Sequence, residues 1–152
     1  MAHIIGPFRG GSIGAVNLDS SAFVADQELI EALRERARTV DCDHDRVLFY
    51  QGDEATGLYI ICDGEVIITM DSLTGDEVVS MMALPCSLLG LPALVGNKPF
   101  SLSAFAKKDA KVSYVSRDDF SSLMLSEPKL AMMILRVLAN EVRTARMAIT
   151  GK

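Results

Sequence analysis

The sequence predicts a mainly β protein of the α+β class, in which an antiparallel sandwich or barrel is flanked by an N-terminal helix and a long C-terminal helix. The first observation behind this prediction is a run of short segments rich in Val, Ile and Tyr between residues 45 and 116. Turn signals separate these segments about every 8–12 residues, a spacing typical of antiparallel sandwiches and barrels. The second observation is that apolar residues on both sides of this run recur at spacings of three and four, as in amphipathic helices.

The first 25 residues are predicted to be a flexible extension of a domain at 26–152. Glycine is costly to order, this stretch contains four glycines, and no apolar period is sustained through it. A helical period begins at Asp26, which we expect to cap the helix, and the helix should end near Thr39. Its apolar positions are Leu29, Ile30, Leu33, Ala37 and Val40.

Six strands are predicted from the β-forming segments, and each ends at a group of turn-forming residues. Glycine at two of these turns, in Asp63-Gly64 and Gly75-Asp76, suits the positive φ angles of tight connections. The predicted strands span 47–50, 58–62, 66–70, 78–84, 101–106 and 112–115. The β region as a whole is therefore placed at about 45–116.

Two helices are predicted after the strands, over about 117–150. Ser116 is placed to cap the first, and Asp118 and Asp119 lie in its first turn, where the helix dipole favours negative charge. The second helix begins near Pro128, which suits a first helical turn, and it carries a broad apolar stripe. The residues of this stripe are Leu130, Met133, Ile134, Val137, Leu138, Val142, Ala145 and Ile149, and Met132 and Leu135 widen its first half.

An apolar stripe of this width favours contacts on two sides of the helix. We expect one side to pack on the strands and the other to pack on a second copy of the chain, so that the protein is a homodimer. The alternative is that the whole stripe packs within one chain.

The net charge of −5 argues against two kinds of partner. Non-specific binding to DNA and binding to an anionic membrane surface both depend on a basic face. No apolar run approaches the roughly 20 residues that span a bilayer, and the N-terminus lacks the long apolar segment of an export signal. We therefore expect a cytoplasmic protein that binds neither nucleic acid nor membrane.

The cysteines and histidines point to no metal site and no catalytic centre. Cys42, Cys62 and Cys86 form no Cys-x-x-Cys pair, which argues against a zinc site and against a disulfide framework. His3 and His44 are isolated and cannot form a centre that needs several histidines. The sequence therefore predicts no catalytic residue and no metal ligand.

The segment LFYQGDEATGLYIICDGEVIITMDSLTGDEVVSMMAL, residues 48–84, carries a recognisable signature. Its glycines Gly52, Gly64 and Gly75 interrupt apolar strands at characteristic spacings, and the later segment KKDAKVSYVSRDDFSSLM continues the pattern. Over about 27–148, the sequence resembles the cyclic-nucleotide-binding domain of the catabolite-activator and Fnr type of regulator. The resemblance implies a β-roll or jelly roll (a double-stranded β-helix), a regulatory rather than enzymatic function, and a long C-terminal helix that dimerises.

The resemblance does not carry DNA binding over to this sequence. Regulators of this type continue into a helix-turn-helix domain that enters the major groove, whereas this sequence ends at Lys152, directly after the long helix. We therefore expect a stand-alone module without a DNA-binding domain, which acts through another, unidentified protein.

The segment LGLPALVGNKPFSLSAFA, residues 89–106, lies where the family has its phosphate cassette, and we call it the cassette. Members that bind cyclic nucleotides have Gly-Glu at its start, followed by a short helix and a loop that ends in Arg-Ser/Thr-Ala. The glycine corresponds to Gly90 and the glutamate to Leu91. The cassette therefore keeps the glycine and loses the acid.

The arginine of the family corresponds to Phe100, Ser101 or Leu102, none of which is charged. The Ser/Thr position corresponds to Ser101 or Ser103, so a hydroxyl is kept in either alignment. The candidate ligand-binding residues are Gly90, Leu91, Ala93, Lys98, Ser101, Leu102 and Ser103.

These departures make ordinary binding of a cyclic nucleotide unfavourable. An arginine fork holds the phosphate in a partly closed pocket, and removing the cation from such a buried pair costs about 3–5 kcal/mol. Leu91 cannot accept a hydrogen bond from the ribose hydroxyl, which costs about a further 1–3 kcal/mol. We expect no bound cofactor, and we expect apolar side chains that either fill the pocket or line it for an uncharged ligand.

Two other functions stay open at this point. The chain is a true receptor for cyclic AMP or cyclic GMP if backbone N–H groups, a retained serine and Lys98 together hold the phosphate. A cupin-like enzyme is a more remote alternative, because that chemistry generally needs a metal held by clustered histidines.

Overall fold

A computed structural model describes residues 18–150 of the chain as eight strands and four α-helices, preceded by a 3-10 turn at Ser20–Phe23. The helices are α1 (Gln27–Arg34), α2 (Leu91–Gly96), α3 (Arg117–Ser126) and α4 (Lys129–Thr150). The strands are β1 (Arg38–Val40), β2 (Arg46–Phe49), β3 (Gly57–Asp63), β4 (Val66–Asp71), β5 (Glu77–Met82), β6 (Ser87–Leu89), β7 (Ser103–Ala106) and β8 (Lys111–Ser116).

The strands form two four-stranded sheets in which every neighbouring pair is antiparallel. One sheet has the order β1-β8-β3-β6 and the other the order β2-β7-β4-β5. Apart from β4 and β5, which pair with each other, strands that are adjacent in sequence lie in different sheets. The chain therefore crosses repeatedly from one sheet to the other, as in a jelly roll. The predicted fold class, a jelly roll between an N-terminal helix and a long C-terminal helix, is confirmed.

The apolar residues of β3 serve two separate cores because successive side chains of a strand point to opposite faces. Ile61 faces the core between the two sheets, where Phe49 and Ile68 are also buried. Leu58 and Ile60 face the core between the first sheet and the helices. Other buried residues of this helical core are Leu29, Leu33, Leu88, Leu91, Val115, Leu123, Leu130 and Ile134.

The predicted N-terminal helix was too long at its C-terminal end. Helix α1 ends at Arg34, and Arg38–Val40 form strand β1 instead. This short strand pairs with β8, and the Arg38 guanidinium lies 4.7 Å from the centre of the Tyr114 ring. Tertiary pairing therefore overrides the helical spacing of the apolar residues, as it commonly does for short β-branched segments.

Asp26 occupies the predicted cap position of α1 but makes no capping hydrogen bond with its side chain. Its Oδ2 atom instead accepts a hydrogen bond from Nη1 of Arg136 on α4, at 3.1 Å. The carboxylate therefore connects the first helix to the last, through a pair that is half exposed on both sides.

The predicted extension at 1–25 lies outside the described residues up to position 17. The rest of it is packed against the domain: Phe23 is buried in the core between the sheets, and Val24 forms a bridge with Ser87 of β6. Strand β6 was not predicted, because a break in the sheet was expected at Pro85 and the three buried residues Ser87–Leu89 were not recognised as a strand.

The two predicted C-terminal helices are present. Ser116 caps α3 by accepting a hydrogen bond from the Asp119 N–H at 3.1 Å, as predicted. Within residues 18–150, no helix is long and apolar enough to cross a membrane.

The apolar stripe of α4 is divided between the interior of the chain and its surface. Leu130, Ile134 and Val137 are buried within the chain itself, so their assignment to a dimer contact is corrected. Met133 and Leu138 are partly buried against the same core, whereas Val142 and Ala145 are exposed. Leu135, which was expected to widen the stripe, and Met147, which lies outside it, are also exposed.

Candidate functional site

The cassette folds as the end of β6, the one-turn helix α2, a loop and strand β7. Gly90 precedes α2 with a φ of 96°, a backbone conformation that residues other than glycine rarely adopt. Asn97 ends the helix with a φ of 55°, and the Lys98 N–H donates a hydrogen bond to the Ala93 carbonyl at 2.9 Å. The backbone therefore has the expected order of a glycine, a short helix, a loop and a strand.

The ring of Phe100 lies directly against Gly90. A Cβ atom placed on Gly90 would stand 2.6 Å from Cε1 of Phe100, which leaves no room for a side chain. On its other side, the Phe100 ring stacks on Phe49 with a centroid separation of 3.9 Å and an interplanar angle of 18°. Phe100 is only 5% exposed, so an aromatic ring fills the space above the cassette glycine.

The turn between β2 and β3 holds the cassette loop in this position. The Phe100 N–H donates to the Asp53 carbonyl at 2.9 Å, and the Phe100 carbonyl accepts from the Gly52 N–H at 2.8 Å. The Gln51 N–H donates to Oγ of Ser103 at 2.8 Å. Two of these bonds are made by the Phe100 backbone and the third holds Ser103 at the start of β7, so the loop that carries the ring is fixed on both sides of the ring.

A small cavity of about 10 Å³ remains between the cassette and α4. A space of this size is close to the minimum for one water molecule, whereas pockets for small ligands measure about 300–1,000 Å³. The residues that line the cavity are Phe49, Gly90, Pro92, Ala93, Phe100, Ser101, Leu102 and Glu141. We call it the cassette cavity.

Four of the seven candidate ligand-binding residues line this cavity: Gly90, Ala93, Ser101 and Leu102. The other three do not. Leu91 is fully buried in the helical core, Lys98 is exposed on the loop, and Ser103 is occupied by the hydrogen bond from Gln51. The structure therefore uses Leu91 to hold α2 on the helical core and does not place it in the cavity.

Sequence reasoning missed Glu141, the one acidic residue of α4. Its Oε2 atom is inaccessible to solvent and has no hydrogen-bond partner among residues 18–150, although other parts of the residue are exposed. Burial raises the pKa of this carboxyl to about 8, so it is mostly protonated at neutral pH. The signal in the sequence was its spacing of four from Val137, at the end of the buried stripe.

The electrostatics of the cassette cavity differ from those of an anion site. Within the described part of the chain, neither lysine nor arginine lines it, and its one ionisable group is an acid. An arginine does lie behind α2, but Arg117 donates to the carbonyls of Leu94 at 3.0 Å and Ala55 at 2.8 Å. That guanidinium satisfies the end of α2 and is turned away from the cavity lining.

No metal centre is found in the described part of the chain, residues 18–150, where no group of three His, Cys, Asp or Glu side chains converges. The three cysteines are free thiols, and burial raises the pKa of Cys42. Cys86 lies at the entrance to β6 with its Sγ atom 3.8 Å from Oε1 of Gln27.

Comparison with known proteins finds one matching family and several similar bacterial regulators. A sequence model of the family described as Cyclic nucleotide-binding domain matches residues 39–127. The anaerobic regulatory protein of Aggregatibacter actinomycetemcomitans is 34% identical over 99 residues, which cover 65% of this chain and 38% of that protein. The cyclic AMP receptor protein of Thermus thermophilus is 31% identical over 98 residues, which cover 64% of this chain and 45% of that protein.

The structural comparison agrees with the sequence comparison. The crystal structure of Thermus thermophilus catabolite activator protein matches with a TM-score of 0.72 and 25% identity, over 82% of this chain and 59% of that one. The chain spans only 38% and 45% of the two curated relatives named above. What those complete proteins do is therefore not established for this chain.

Proposed function

Because the chain belongs to the cyclic nucleotide-binding domain family found in regulators of the catabolite-activator and Fnr type, we propose that it is a non-enzymatic regulatory module with a closed cassette. It does not bind cyclic AMP or cyclic GMP in the usual way. It transmits its regulatory state to an unidentified partner protein in the cytoplasm.

The observation that carries this proposal is the position of Phe100. Its ring covers Gly90 and leaves a cavity of about 10 Å³, which is far too small for a nucleotide. To admit a ligand, the Phe100 ring must leave its stack with Phe49, on a loop that two backbone hydrogen bonds hold to the turn at Gly52 and Asp53.

The lining of the cavity also lacks the charge that a phosphate needs. An anion entering there would meet no cation among the described lining residues. A buried anion without a partner costs several kcal/mol, which is enough to weaken a micromolar affinity to millimolar or beyond.

A homodimer through α4 is the second part of the proposal. A shallow groove on the outer face of this helix carries Leu135, Ala139 and Val142, with Arg143 and Arg146 at its edge. Leu135 is 55% exposed and Val142 is 50% exposed, so one copy leaves an apolar strip in water. Packing two such strips against each other would remove this apolar surface from water, which supports the dimer implied by the family resemblance.

Thermal denaturation with and without ligand tests the closed cassette. A site with a dissociation constant of about 10 µM would stabilise the protein by about 2.7 kcal/mol at 1 mM ligand, which corresponds to about 5–10 °C. With cyclic AMP or cyclic GMP at that concentration, we expect a change in melting temperature of less than about 1 °C.

The alternative, a cyclic-nucleotide receptor that uses Lys98, makes the opposite prediction for the same measurement. It requires a salt-sensitive rise in melting temperature that is lost in Lys98→Ala and kept in Lys108→Ala, a control at another exposed lysine. That pattern would replace the closed-cassette proposal by the receptor.

A further inference from the structure

We propose that Glu141 is a proton-dependent latch, whose protonated carboxyl closes the cassette cavity against α4 and whose ionisation releases the second half of α4 from the cassette. The inference rests on the proposed function only in that the cassette is closed without a nucleotide. It concerns how the closed state is held and what opens it.

The geometry of α4 places Glu141 on the face of the helix that packs against the domain. The inward positions of the helix are Leu130, Ile134 and Val137, which are all buried in the helical core. Glu141 follows Val137 by four residues and therefore lies on the same face of the helix. After Glu141, none of the described residues of α4 is fully buried. Val137 is the last fully buried residue of α4, and the partly buried Glu141 is the next position of this face, so a carboxyl stands where an apolar side chain would be expected.

The surroundings of the Glu141 carboxyl favour its neutral form over its charged form. Apart from Ser101, the side chains that share the cavity with it are apolar or aromatic, or are absent in the case of Gly90. Its Oε2 atom has no hydrogen-bond partner in the range 18–150. An ionised carboxylate in this place would lose its hydration without gaining a compensating partner.

The nearby charged groups are directed elsewhere. On α4, Arg143 and Arg146 line the groove on the outer face. On the cassette, Lys98 is exposed and outside the cavity lining.

Two further charged groups belong to the elements that pack against the cassette. Arg117 of α3 donates to two backbone carbonyls behind α2. The Asp53 carboxylate, in the turn that holds Phe100, accepts from the Tyr50 N–H at 3.0 Å.

Asp19, beside the 3-10 turn that packs on α4, accepts a hydrogen bond from the Ser21 N–H at 3.0 Å. None of these groups lines the cassette cavity, so none of them compensates an ionised Glu141 there.

The direction of the pH effect follows from linkage. Burial raises the pKa of Glu141 from 4.5 to about 8 in the closed state, and in an open, hydrated state the pKa returns towards its ordinary value. Between these two values the closed state binds more protons than the open state. Rising pH therefore favours opening, with the effect complete once the closed state itself ionises near pH 8.

Opening would change the surface of α4 that faces away from the domain. Val142 and Arg143 of the groove follow Glu141 directly in this half of the helix, and the groove extends back to Leu135 in the first half. A proton lost from the cassette cavity, or a partner that offers a hydrogen-bond donor to this carboxyl, would thus alter the proposed dimer surface. The latch therefore couples the closed cassette to the dimer surface of α4 without a nucleotide.

Amide hydrogen exchange tests the latch on the nucleotide-free protein. After correction for the intrinsic pH dependence of exchange, we expect protection of 138–146 and of α2 to fall at least about tenfold between pH 6 and pH 8 in the wild-type protein. In Glu141→Gln, which mimics the protonated carboxyl, protection should stay constant. Glu127→Gln, an exposed acid just before α4, is the matched control and should behave as the wild type does.

Equal pH dependence in the wild-type protein and Glu141→Gln would overturn the latch. If the variant does not fold, carboxyl-carbon NMR of the wild type decides the question, since Glu141 should titrate near pH 8. A midpoint in the ordinary range for glutamate, about 4.3, would also overturn it. Neither measurement uses a nucleotide, so failure of the latch is distinguishable from failure of the closed-cassette proposal.

Discussion

Replacing Phe100 with alanine is expected to lower the free energy of unfolding by about 3–5 kcal/mol, the usual cost of truncating a buried phenylalanine. The ring is 5% exposed, stacks on Phe49 at 3.9 Å and covers Gly90, so its removal leaves a void that rigid neighbours cannot fill. Urea denaturation measures the loss directly, and the slope of the transition should stay unchanged.

Phe105→Ala is the matched control for this change. Phe105 lies in β7 and is partly exposed, with an edge-on contact to Tyr50 at 6.0 Å. Its truncation should cost clearly less than that of Phe100, since a partly exposed ring leaves a smaller cavity. If the two variants were equally stable, Phe100 would not be the residue that closes the cassette.

Replacing Leu135 with glutamate is expected to raise the dissociation constant of the α4 dimer at least about a hundredfold, which corresponds to about 2.7 kcal/mol. Leu135 is 55% exposed in one copy, so the substitution leaves the folded chain intact. In a dimer it would bury an unpaired charge in the groove beside Val142. Sedimentation equilibrium over a range of concentrations measures the constant.

Asn140→Glu adds the same charge to an exposed position of α4 outside the groove, and it should leave the dissociation constant nearly unchanged. A wild-type protein that stays monomeric at every accessible concentration would contradict the proposed dimer. The same conclusion would follow if Leu135→Glu and Asn140→Glu behaved alike.

The pattern of alternating apolar segments and turn residues was sufficient to predict six of the eight strands. It failed for β1 and β6, which have only three residues each. In β1, helical spacing continued from α1 into residues whose partners in β8 lie more than 70 positions further along the chain. Pairing of this kind depends on tertiary contacts, and no local pattern reveals it.

The cassette shows a similar limit. Its position and its missing arginine were visible in the sequence, because both depend on spacing and residue type. The direction in which each side chain points was not visible. Leu91 faces the helical core, and Phe100 fills the space above Gly90. The family's arginine could correspond to Phe100, Ser101 or Leu102, so the sequence alone did not show which residue takes its place.

Glu141 was hidden for another reason. It lies 50 residues beyond Leu91, on a helix whose apolar stripe was expected to contact a partner. Its charge suggested an exposed position, as is usual for glutamate. Only the packing of α4 against the cassette reveals that the carboxyl is buried and that its pKa is raised to about 8.

Isothermal titration calorimetry with cyclic AMP and cyclic GMP tests the central claim most directly. The closed cassette, with Phe100 above Gly90 and no cation among the described residues of its lining, predicts no saturable heat with either ligand up to about 1 mM. Binding of either nucleotide with a micromolar dissociation constant would contradict the account, because the cassette would then open to an anion at little cost.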